Sequence, residues 1–302
     1  MKVTLSVCKI ETIMKKGVWE PMIKYQIFTP GGNKTALVFG VEEDLGRRRV
    51  IQDAIMARHK ADLDGEVEQV GFVREDPQNP QVIMAGGEFC GNATRAAAAY
   101  YLGERVGRME LKSSGAHMPL SVGRVESGDV WARMPLLDSV EKSVKKLGDS
   151  DLYWVELQGI CHLIVPQRKS LPYLQEIFAC KNKEDKLKIA LNFLEETIEK
   201  YSLNVGEAYG VMFLESVVDV LKLHPFVHVK SAKTTHYETA CGSGSMCVGL
   251  LSAYLREKDI NLPILQPSDR VIWVRVETQR EQLRGSIFGS LMAGDILEIH
   301  VS

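Results

Sequence analysis

The sequence predicts an α+β protein made of two pseudo-symmetric domains, each a sheet wrapped around a central helix. Alternating apolar and polar residues, which are typical of strands, recur along most of the chain. A Cys-Gly step at the start of a helix-like run stands in each half, at Cys90 and at Cys241. Strands around one long helix, repeated in both halves, indicate a duplicated unit. We therefore predict a first domain at 1–138, completed by a C-terminal strand at about 289–302, and a second domain at 139–288.

The first half combines short strands with two helices. Apolar residues at helical spacing predict a helix at 44–60. An Ala-rich run at 93–102 stops near Gly103, as expected of a tightly packed helix with a glycine terminator. A Thr-Pro-Gly-Gly-Asn segment that begins at Thr29 predicts a turn. Strands are predicted at 3–7, 23–28, 35–41, 69–73, 81–84 and through 109–134.

The second half repeats this pattern after a polar, charged stretch at 138–150, which we interpret as the connector between domains. An apolar stripe predicts that 170–201 is mostly helical, and a second helix is predicted at 246–258, behind Cys241. Strands are predicted at 154–165, 209–213, 218–229, 271–278, 282–288 and 296–301.

The composition excludes several classes of protein. The chain has 302 residues, 45% hydrophobic and 25% charged, which is typical of globular proteins. A net charge of −2 gives no electrostatic reason to bind nucleic acid or an anionic membrane. No apolar run approaches the roughly 20 residues that span a bilayer, and the N-terminus lacks the apolar core of a signal peptide. Six cysteines without regular spacing do not indicate a disulfide framework, so we predict a cytoplasmic location and free thiols.

The two Cys-Gly steps predict acid–base chemistry. The unpaired N–H groups at the start of a helix favour an anion and lower the pKa of a cysteine there. Two such thiols facing each other across a cleft would place an acid and a base on opposite sides of one bound anion. This arrangement would move a proton from one face of a carbon to the other. No motif for an electron-sink cofactor is evident, and no Cys-x-x-Cys or His-x-x-x-His spacing supports zinc, so neither a cofactor nor a metal is predicted.

Several motifs match one known family. They are Pro30-Gly31-Gly32-Asn33, Glu68-Gln69-Val70-Gly71-Phe72, Gly87-Glu88-Phe89-Cys90-Gly91-Asn92-Ala93-Thr94, Cys161-His162 and Ala240-Cys241-Gly242-Ser243-Gly244. In these residues the chain resembles the diaminopimelate epimerase superfamily of cofactor-independent amino-acid racemases, which includes proline racemases and phenazine-biosynthesis isomerases. The segments Glu-Gln-Val-Gly-Phe and Glu-Phe-Cys-Gly-Asn-Ala-Thr are most similar to histidine racemases of opine-type metallophore biosynthesis.

The resemblance implies a fold, a reaction and a set of site residues. The fold would be diaminopimelate epimerase-like, with the site in the cleft between the domains. The substrate would be a small-molecule amino acid, inverted at its α-carbon, with Cys90 and Cys241 as the two catalytic bases. The remaining residues that the resemblance implies are the backbone amides of Gly91, Asn92, Gly242 and Ser243 around the substrate carboxylate, Asn33 beside them, and the catalytic helpers Glu68 and His162.

Departures from the diaminopimelate epimerase pattern bear on the substrate. That family has a Gly-Asn-Pro-His turn where this chain has 159–162 as Gly-Ile-Cys-His, and an asparagine where we place Met84. Its Glu-Arg-Gly triplet before the second cysteine is missing from 230–235. A site that lacks these polar partners rejects a polar distal group strongly. The predicted substrate is therefore histidine or a similar amino acid without a second charged head group.

For other polar residues a structural interpretation is preferred. We interpret Glu88 and Glu238 as charges favoured near a helix start, and His236 as a residue outside the site. The same applies to His224 and His228. The other cysteines are interpreted as small apolar residues of the core: Cys8, Cys161, Cys180 and Cys247.

Three alternative functions stay open at this point. Diaminopimelate epimerase is the closest, and a common assay of both substrates separates it from a histidine racemase. A non-racemising isomerase of the phenazine type is disfavoured, because such proteins lack the paired cysteines. A thiol-redox or amino-acid-binding protein would not exchange the α-proton with solvent. A disulfide between Cys90 and Cys241 after air oxidation and a homodimeric assembly are also left open.

Overall fold

The computed structural model describes residues 22–40, 44–61, 65–231, 233–278 and 282–301. The described residues form seventeen strands and six helices in a mixed α+β arrangement, which confirms the predicted class. The strands are β1 (Ile23–Pro30), β2 (Thr35–Phe39), β3 (Gln69–Val73), β4 (Gln81–Met84), β5 (Gly107–Ser113), β6 (Leu120–Arg124), β7 (Val130–Arg133), β8 (Val144–Lys146), β9 (Tyr153–Leu157), β10 (Ile160–Val165), β11 (Ala208–Val217), β12 (Val220–Val229), β13 (Thr234–Tyr237), β14 (Ile260–Leu265), β15 (Val271–Glu277), β16 (Arg284–Gly289) and β17 (Leu291–Ile299). The helices are α1 (Leu45–Arg58), α2 (Gly91–Leu102), α3 (Val140–Ser143), α4 (Gln167–Ala179), α5 (Lys183–Tyr201) and α6 (Gly242–Arg256).

The described strands form one continuous series of hydrogen-bonded neighbours. From one end, β17 pairs with β1, and β1 to β7 then follow in chain order. Strand β7 pairs with β16, and the series continues through β15 and β14 to β12. From β12 it continues through β11, β10 and β9, and it ends at β8. Strand β13 also lies beside β12. The chain therefore leaves the first group of strands after β7 and returns to it only with β17.

Helix α2 is buried along most of its length against this first group. It contacts β1 to β7. Four consecutive alanines at 96–99 are each at most 4% exposed, and Ala has the highest helix propensity of all residues. Their small side chains let the surrounding strands approach closely. Gly103 ends the helix with a positive φ of 55°, as the predicted glycine terminator requires.

Helix α6 packs among the strands from β8 to β16. It contacts β8, β9, β10, β12, β14, β15 and β16. Its apolar residues Met246, Leu250 and Leu251 belong to the largest buried cluster of the second half. Helices α4 and α5 pack on β11 from outside and bury Leu174, Ile177 and Leu194. None of the helices in the described part of the chain is long and apolar enough to span a membrane.

Several predicted boundaries differ from the observed ones. The stretch at 138–150 holds α3 and β8, because Ser139 caps the helix and Val140 and Val144 are buried. The predicted helix at 170–201 is two helices, separated where Asn182 caps α5 by accepting from the Asp185 amide at 2.8 Å. Strands β13 and β14 were not predicted. The predicted strand at 3–7 and Cys8 lie outside the described residues.

Candidate active site

A narrow cavity lies where the N-termini of α2 and α6 meet, and seven of the nine predicted site residues line it. These seven are Glu68, Cys90, Gly91, Asn92, Cys241, Gly242 and Ser243. The cavity volume is about 40 Å³, and one water molecule needs roughly 10–15 Å³. There is room for a few water molecules but not for an amino acid.

The two cysteines have the same local geometry. Cys90 is the N-cap of α2, with φ −135° and ψ 115°, and its Sγ accepts a hydrogen bond from the Ala93 amide at 3.3 Å. Cys241 is the N-cap of α6, with φ −125° and ψ 109°, and its Sγ accepts from the Gly244 amide at 3.3 Å. Each sulfur takes the place that a Ser or Asp oxygen holds at an ordinary N-cap. The helix N–H groups are thereby directed at the sulfur atoms.

Ile287 on β16 separates the two helix starts. A Cβ atom placed on Gly91 would lie 3.0 Å from Ile287 Cδ1, and one placed on Gly242 would lie 2.7 Å from the same atom. Asn92 Nδ2 also donates to the Ala240 carbonyl at 2.8 Å, which ties the start of α2 to the segment before α6. Glycine at the first position of both helices thus allows the two N-termini to approach each other.

Both thiols have a raised pKa, which differs from the lowered value expected at a helix start. Burial is the main cause, since Cys90 is 8% exposed and Cys241 is 2% exposed. The negative charge of nearby Glu238 raises both pKa values further. The helix amides act in the opposite direction but do not outweigh these effects. In this closed conformation both cysteines are neutral thiols.

Glu68 lies beside the cavity in a dense set of hydrogen bonds. Asn33 Nδ2 donates to its Oε2 at 2.7 Å, and the Thr239 amide donates to both of its oxygens at 3.1–3.2 Å. The Thr239 hydroxyl donates to Oε1 as well. Burial, with a contribution from the charge of Glu238, nevertheless raises the pKa of Glu68 to about 8. Asn33 is fully buried behind Glu68 and does not line the cavity.

A second carboxyl group, Glu238, connects the two cysteines. Cys90 Sγ donates to Gln69 Oε1 at 2.8 Å, and Gln69 Nε2 donates to Glu238 Oε1 at 2.8 Å. Glu238 also lies close to Cys241, because its negative charge raises the pKa of that thiol. Burial raises the pKa of Glu238 to about 7. This places Glu238 inside the site, and the interpretation of it as a helix-start charge was therefore wrong.

His162 lies behind Cys241, outside the cavity lining. Its Nε2 is 2.9 Å from Ser243 Oγ, which is in turn 3.5 Å from Cys241 Sγ. The ring is fully buried, and burial lowers its pKa to about 3, so the imidazole is neutral. Nδ1 has no hydrogen-bond partner among the described residues. His162 can therefore orient Ser243 but carries no charge to the site.

Sequence reasoning missed six polar cavity residues: Gln52, Gln69, Glu88, Thr234, His236 and Glu238. The signal for Glu238 was present, because an acidic residue precedes each Cys-Gly step by two or three positions. His236 became a cavity residue only through the pairing of β13 with β12. The apolar lining includes Met84 and Ile160 at the two positions where the sequence departs from diaminopimelate epimerases.

Comparison with known families identifies the group to which this site belongs. The family model for the histidine racemase CntK N-terminal domain matches residues 22–287. The chain belongs to the histidine racemase family. The matched range includes both helix starts and every residue predicted for the site. Membership makes the protein an enzyme of the isomerase class.

Two curated members of the histidine racemase family are similar over most of the chain. A histidine racemase of Fusobacterium nucleatum is 29% identical over 216 residues, which cover 67% of this chain and 71% of the relative. A histidine racemase of Staphylococcus aureus is 21% identical over 245 residues, which cover 78% of this chain and 81% of the relative.

Solved structures show that the fold of this histidine racemase family member is shared more widely. A hydroxyproline epimerase from Agrobacterium vitis with bound trans-4-OH-L-proline superimposes with a TM-score of 0.56 at 11% identity, covering 94% of each chain. A PhzF-family protein of Bacillus anthracis gives a TM-score of 0.57 at 15% identity, covering 92% of this chain and 99% of the other. At sequence identities this low, the similarity shows a shared fold and nothing about the reaction.

Proposed function

We propose that the protein is a cofactor-independent amino-acid racemase, that histidine is its substrate, and that Cys90 and Cys241 are its two acid–base groups. The observation that carries this proposal is the paired arrangement of the thiols. Each thiol caps a helix, and the two helix N-termini meet at one cavity. In the proposed division of the chain, residues 1–138 with about 289–302 supply one wall and residues 139–288 supply the other.

The proposed reaction is a proton transfer in two steps. One thiolate removes the α-proton, and the opposite thiol returns a proton to the other face of the carbon. The α-proton of an amino acid is far less acidic than a thiol, so the developing negative charge needs stabilisation. The amides of Gly91, Asn92, Gly242 and Ser243 belong to the starts of α2 and α6 and would hold the carboxylate. Preorganised donors of this kind are usually the largest catalytic contribution.

The lining of the cavity supports histidine over diaminopimelate. Met84 and Ile160 offer no hydrogen bond from their side chains to a second charged head group. Asn92 Oδ1 has no hydrogen-bond partner among the described residues, so it and Glu68 are acceptors suited to the α-ammonium group. The curated relatives are histidine racemases, which agrees with this choice of substrate.

The test is α-deuteration in deuterated water with a panel of L-amino acids that includes histidine and diaminopimelate. We expect exchange and racemisation with histidine, under reducing conditions. Exchange with diaminopimelate alone would reassign the substrate, and no exchange with any amino acid would refute the racemase proposal.

Replacing either thiol tests the two-base mechanism. Cys90→Ala and Cys241→Ala should each lower the rate of racemisation by at least roughly 1,000-fold, because inversion needs an acid and a base on opposite faces. Cys180→Ala is the matched control, since Cys180 lies at the end of α4 outside the cavity. Full activity in either of the first two variants would contradict the mechanism.

A further inference from the structure

A chain of hydrogen bonds runs from Cys90 through Gln69 to Glu238, and Glu238 lies close enough to Cys241 for its charge to act on that thiol. We propose that Gln69 and Glu238 act as a switch that lets the two thiols exchange the roles of acid and base. Gln69 and Glu238 are positioning residues in this proposal, because they act through the sulfur atoms. The inference rests on the proposed function, since it requires both thiols to act on the substrate.

The position of the pair supports more than a packing role. Gln69 opens β3, whereas Glu238 precedes α6 by a few residues, so their hydrogen bond joins the two walls of the cavity. Glu238 is 6% exposed, and a buried carboxylate is costly unless it is hydrogen-bonded. It accepts a hydrogen bond from the Gln69 amide, which leads to Cys90, and its charge acts on the thiol of Cys241. Each catalytic sulfur therefore interacts with one end of this pair.

In the proposed switch, two protons are shared among Cys90, Cys241 and Glu238. When both thiols keep their protons, Glu238 is a carboxylate that accepts from Gln69. Moving the Cys241 proton to Glu238 breaks an S–H bond and forms an O–H bond. The result is a thiolate at Cys241 opposite a thiol at Cys90, and the net charge of the three groups stays at minus one. That state is competent to remove a proton with Cys241 and to donate one with Cys90.

One turnover exchanges the protonation states of Cys90 and Cys241 and leaves Glu238 protonated. Cys241 gains the α-proton and Cys90 loses its own, so Cys90 now needs a donor instead of an acceptor. A half-turn of the Gln69 amide presents Nε2–H to the Cys90 thiolate and Oε1 to the Glu238 O–H. An amide offers a donor at one end and an acceptor at the other, so both orientations are fully hydrogen-bonded. No proton has to pass through the amide.

The charges around Glu238 suit a group that holds this proton near neutral pH. Burial raises its pKa to about 7, and the negative charge of Glu88 adds to the effect. The titratable groups that face it are Glu68 before β3, Glu88 and Cys90 before α2, His236 on β13, and Cys241 itself. Because the carboxyl groups of Glu68, Glu88 and Glu238 lie close together, ionisation of one disfavours ionisation of another. Protonation of Glu238 removes the negative charge that raises the pKa of Cys241, and therefore favours a thiolate there.

The test replaces Gln69 by methionine, which keeps the length of the side chain but removes both polar ends. Gln69→Met should lower kcat/KM roughly 100-fold and shift the acid limb of its pH profile upward. Glu238→Gln should have a similar effect. The double variant should lose no more than the more damaged single variant, because the two residues act as one unit. Gln81→Met is the control, since Gln81 opens β4 outside the cavity, and among the described residues its side chain bonds only to Arg74.

Two results would overturn the switch. One is a Gln69→Met variant with the kcat/KM and pH profile of the wild type, and the other is losses that multiply in the double variant. If Gln69→Met does not fold, Gln69→Asn takes its place, because it keeps an amide that is too short to reach both partners. A wild-type protein that racemises no amino acid would instead refute the proposed function and this inference with it.

Discussion

Burial sets the protonation of the acidic groups at the site. The pKa of Glu68 is raised to about 8 and those of Glu88 and Glu238 to about 7, in each case chiefly because the carboxyl group is buried. The same cause raises the pKa of both cysteines. The described cavity lining has no Lys or Arg side chain. The ammonium group of an amino acid would therefore supply the positive charge that these carboxyl groups lack.

Glu88 gives a pH-dependent prediction for stability. Its Oε2 is shielded from solvent and has no hydrogen-bond partner among the described residues. Since its folded pKa is raised from 4.5 to about 7, its contribution to stability is fully present below pH 4.5 and is lost as the pH rises through 7. Glu88→Gln should therefore increase the free energy of unfolding at pH 8 by about 1–2 kcal/mol and leave it unchanged near pH 4.5. Urea unfolding at the two pH values measures this difference.

An exposed glutamate provides the comparison for this measurement. Glu126→Gln on the β6–β7 turn should leave the free energy of unfolding nearly the same at both pH values, because the side chain stays in water. A Glu88→Gln variant that is destabilised at pH 8 would show that the ionised carboxylate is stabilised by contacts other than those described.

Sequence reasoning could locate the thiols but not their partners. Cys90 and Cys241 each stand directly before a glycine and a helix-like run, which is a local signal. Gln69 and Glu238 are 169 positions apart, and nothing local joins them. The direction of the cysteine pKa shift was predicted wrongly for the same reason. The effect of the helix amides can be read from neighbouring residues, whereas the depth of burial depends on the whole packed molecule.

At the scale of elements, the close approach of α2 and α6 depends on a small set of side chains. Gly242→Ala would place a Cβ 2.7 Å from Ile287 Cδ1, which is closer than real contacts allow. We expect kcat/KM to fall by at least roughly 10-fold, because the two helix starts are displaced from each other. Ile287→Val removes that Cδ1 atom, so the double variant Gly242→Ala/Ile287→Val should recover part of the loss. Steady-state kinetics of Gly242→Ala, Ile287→Val and the double variant measures the loss and the recovery.

Gly206 supplies the control at this scale. An added Cβ there meets no heavy atom within 4 Å, so Gly206→Ala should keep the activity of the wild type. If the valine substitution gives no recovery, the loss in Gly242→Ala arises from something other than contact with Ile287.

Elements with a strong local pattern were predicted well, and those made by packing were not. The Ala-rich helix and the strands at β3 and β4 have local signals and were found within two residues of their observed ends. The stretch at 138–150 is polar and was interpreted as a connector. It folds into α3 and β8 because Val140 and Val144 are buried against distant parts of the chain. Tertiary contacts of this kind leave little trace in the local sequence.

At the scale of the whole molecule, Arg95 joins parts of the chain that are far apart in sequence. It lies on α2, is fully buried, and donates to the carbonyl groups of Val130, Gly289 and Ser290. Arg95→Lys should lower the free energy of unfolding by about 2 kcal/mol or more, because an ammonium group cannot reproduce the guanidinium fork. Urea unfolding measures the loss.

Arg105 is the matched control for this substitution. It also donates to two carbonyl groups, those of Tyr101 and Leu102, but it is exposed. Arg105→Lys should change the free energy of unfolding by no more than about 0.5 kcal/mol. Equal losses in the two variants would show that burial is not what makes Arg95 important.

The pairing of β1 with β17 has a consequence for biosynthesis. Ile23 is the register partner of Ile299, so β1 cannot pair with this neighbour until β17 has left the ribosome. Until then the edge of β1 is unpaired, although α2 and its alanines have long been made. Contacts between such distant residues slow folding, and an uncovered strand edge invites association with other chains. The nascent enzyme is therefore exposed to aggregation through this edge until residues 291–299 have emerged.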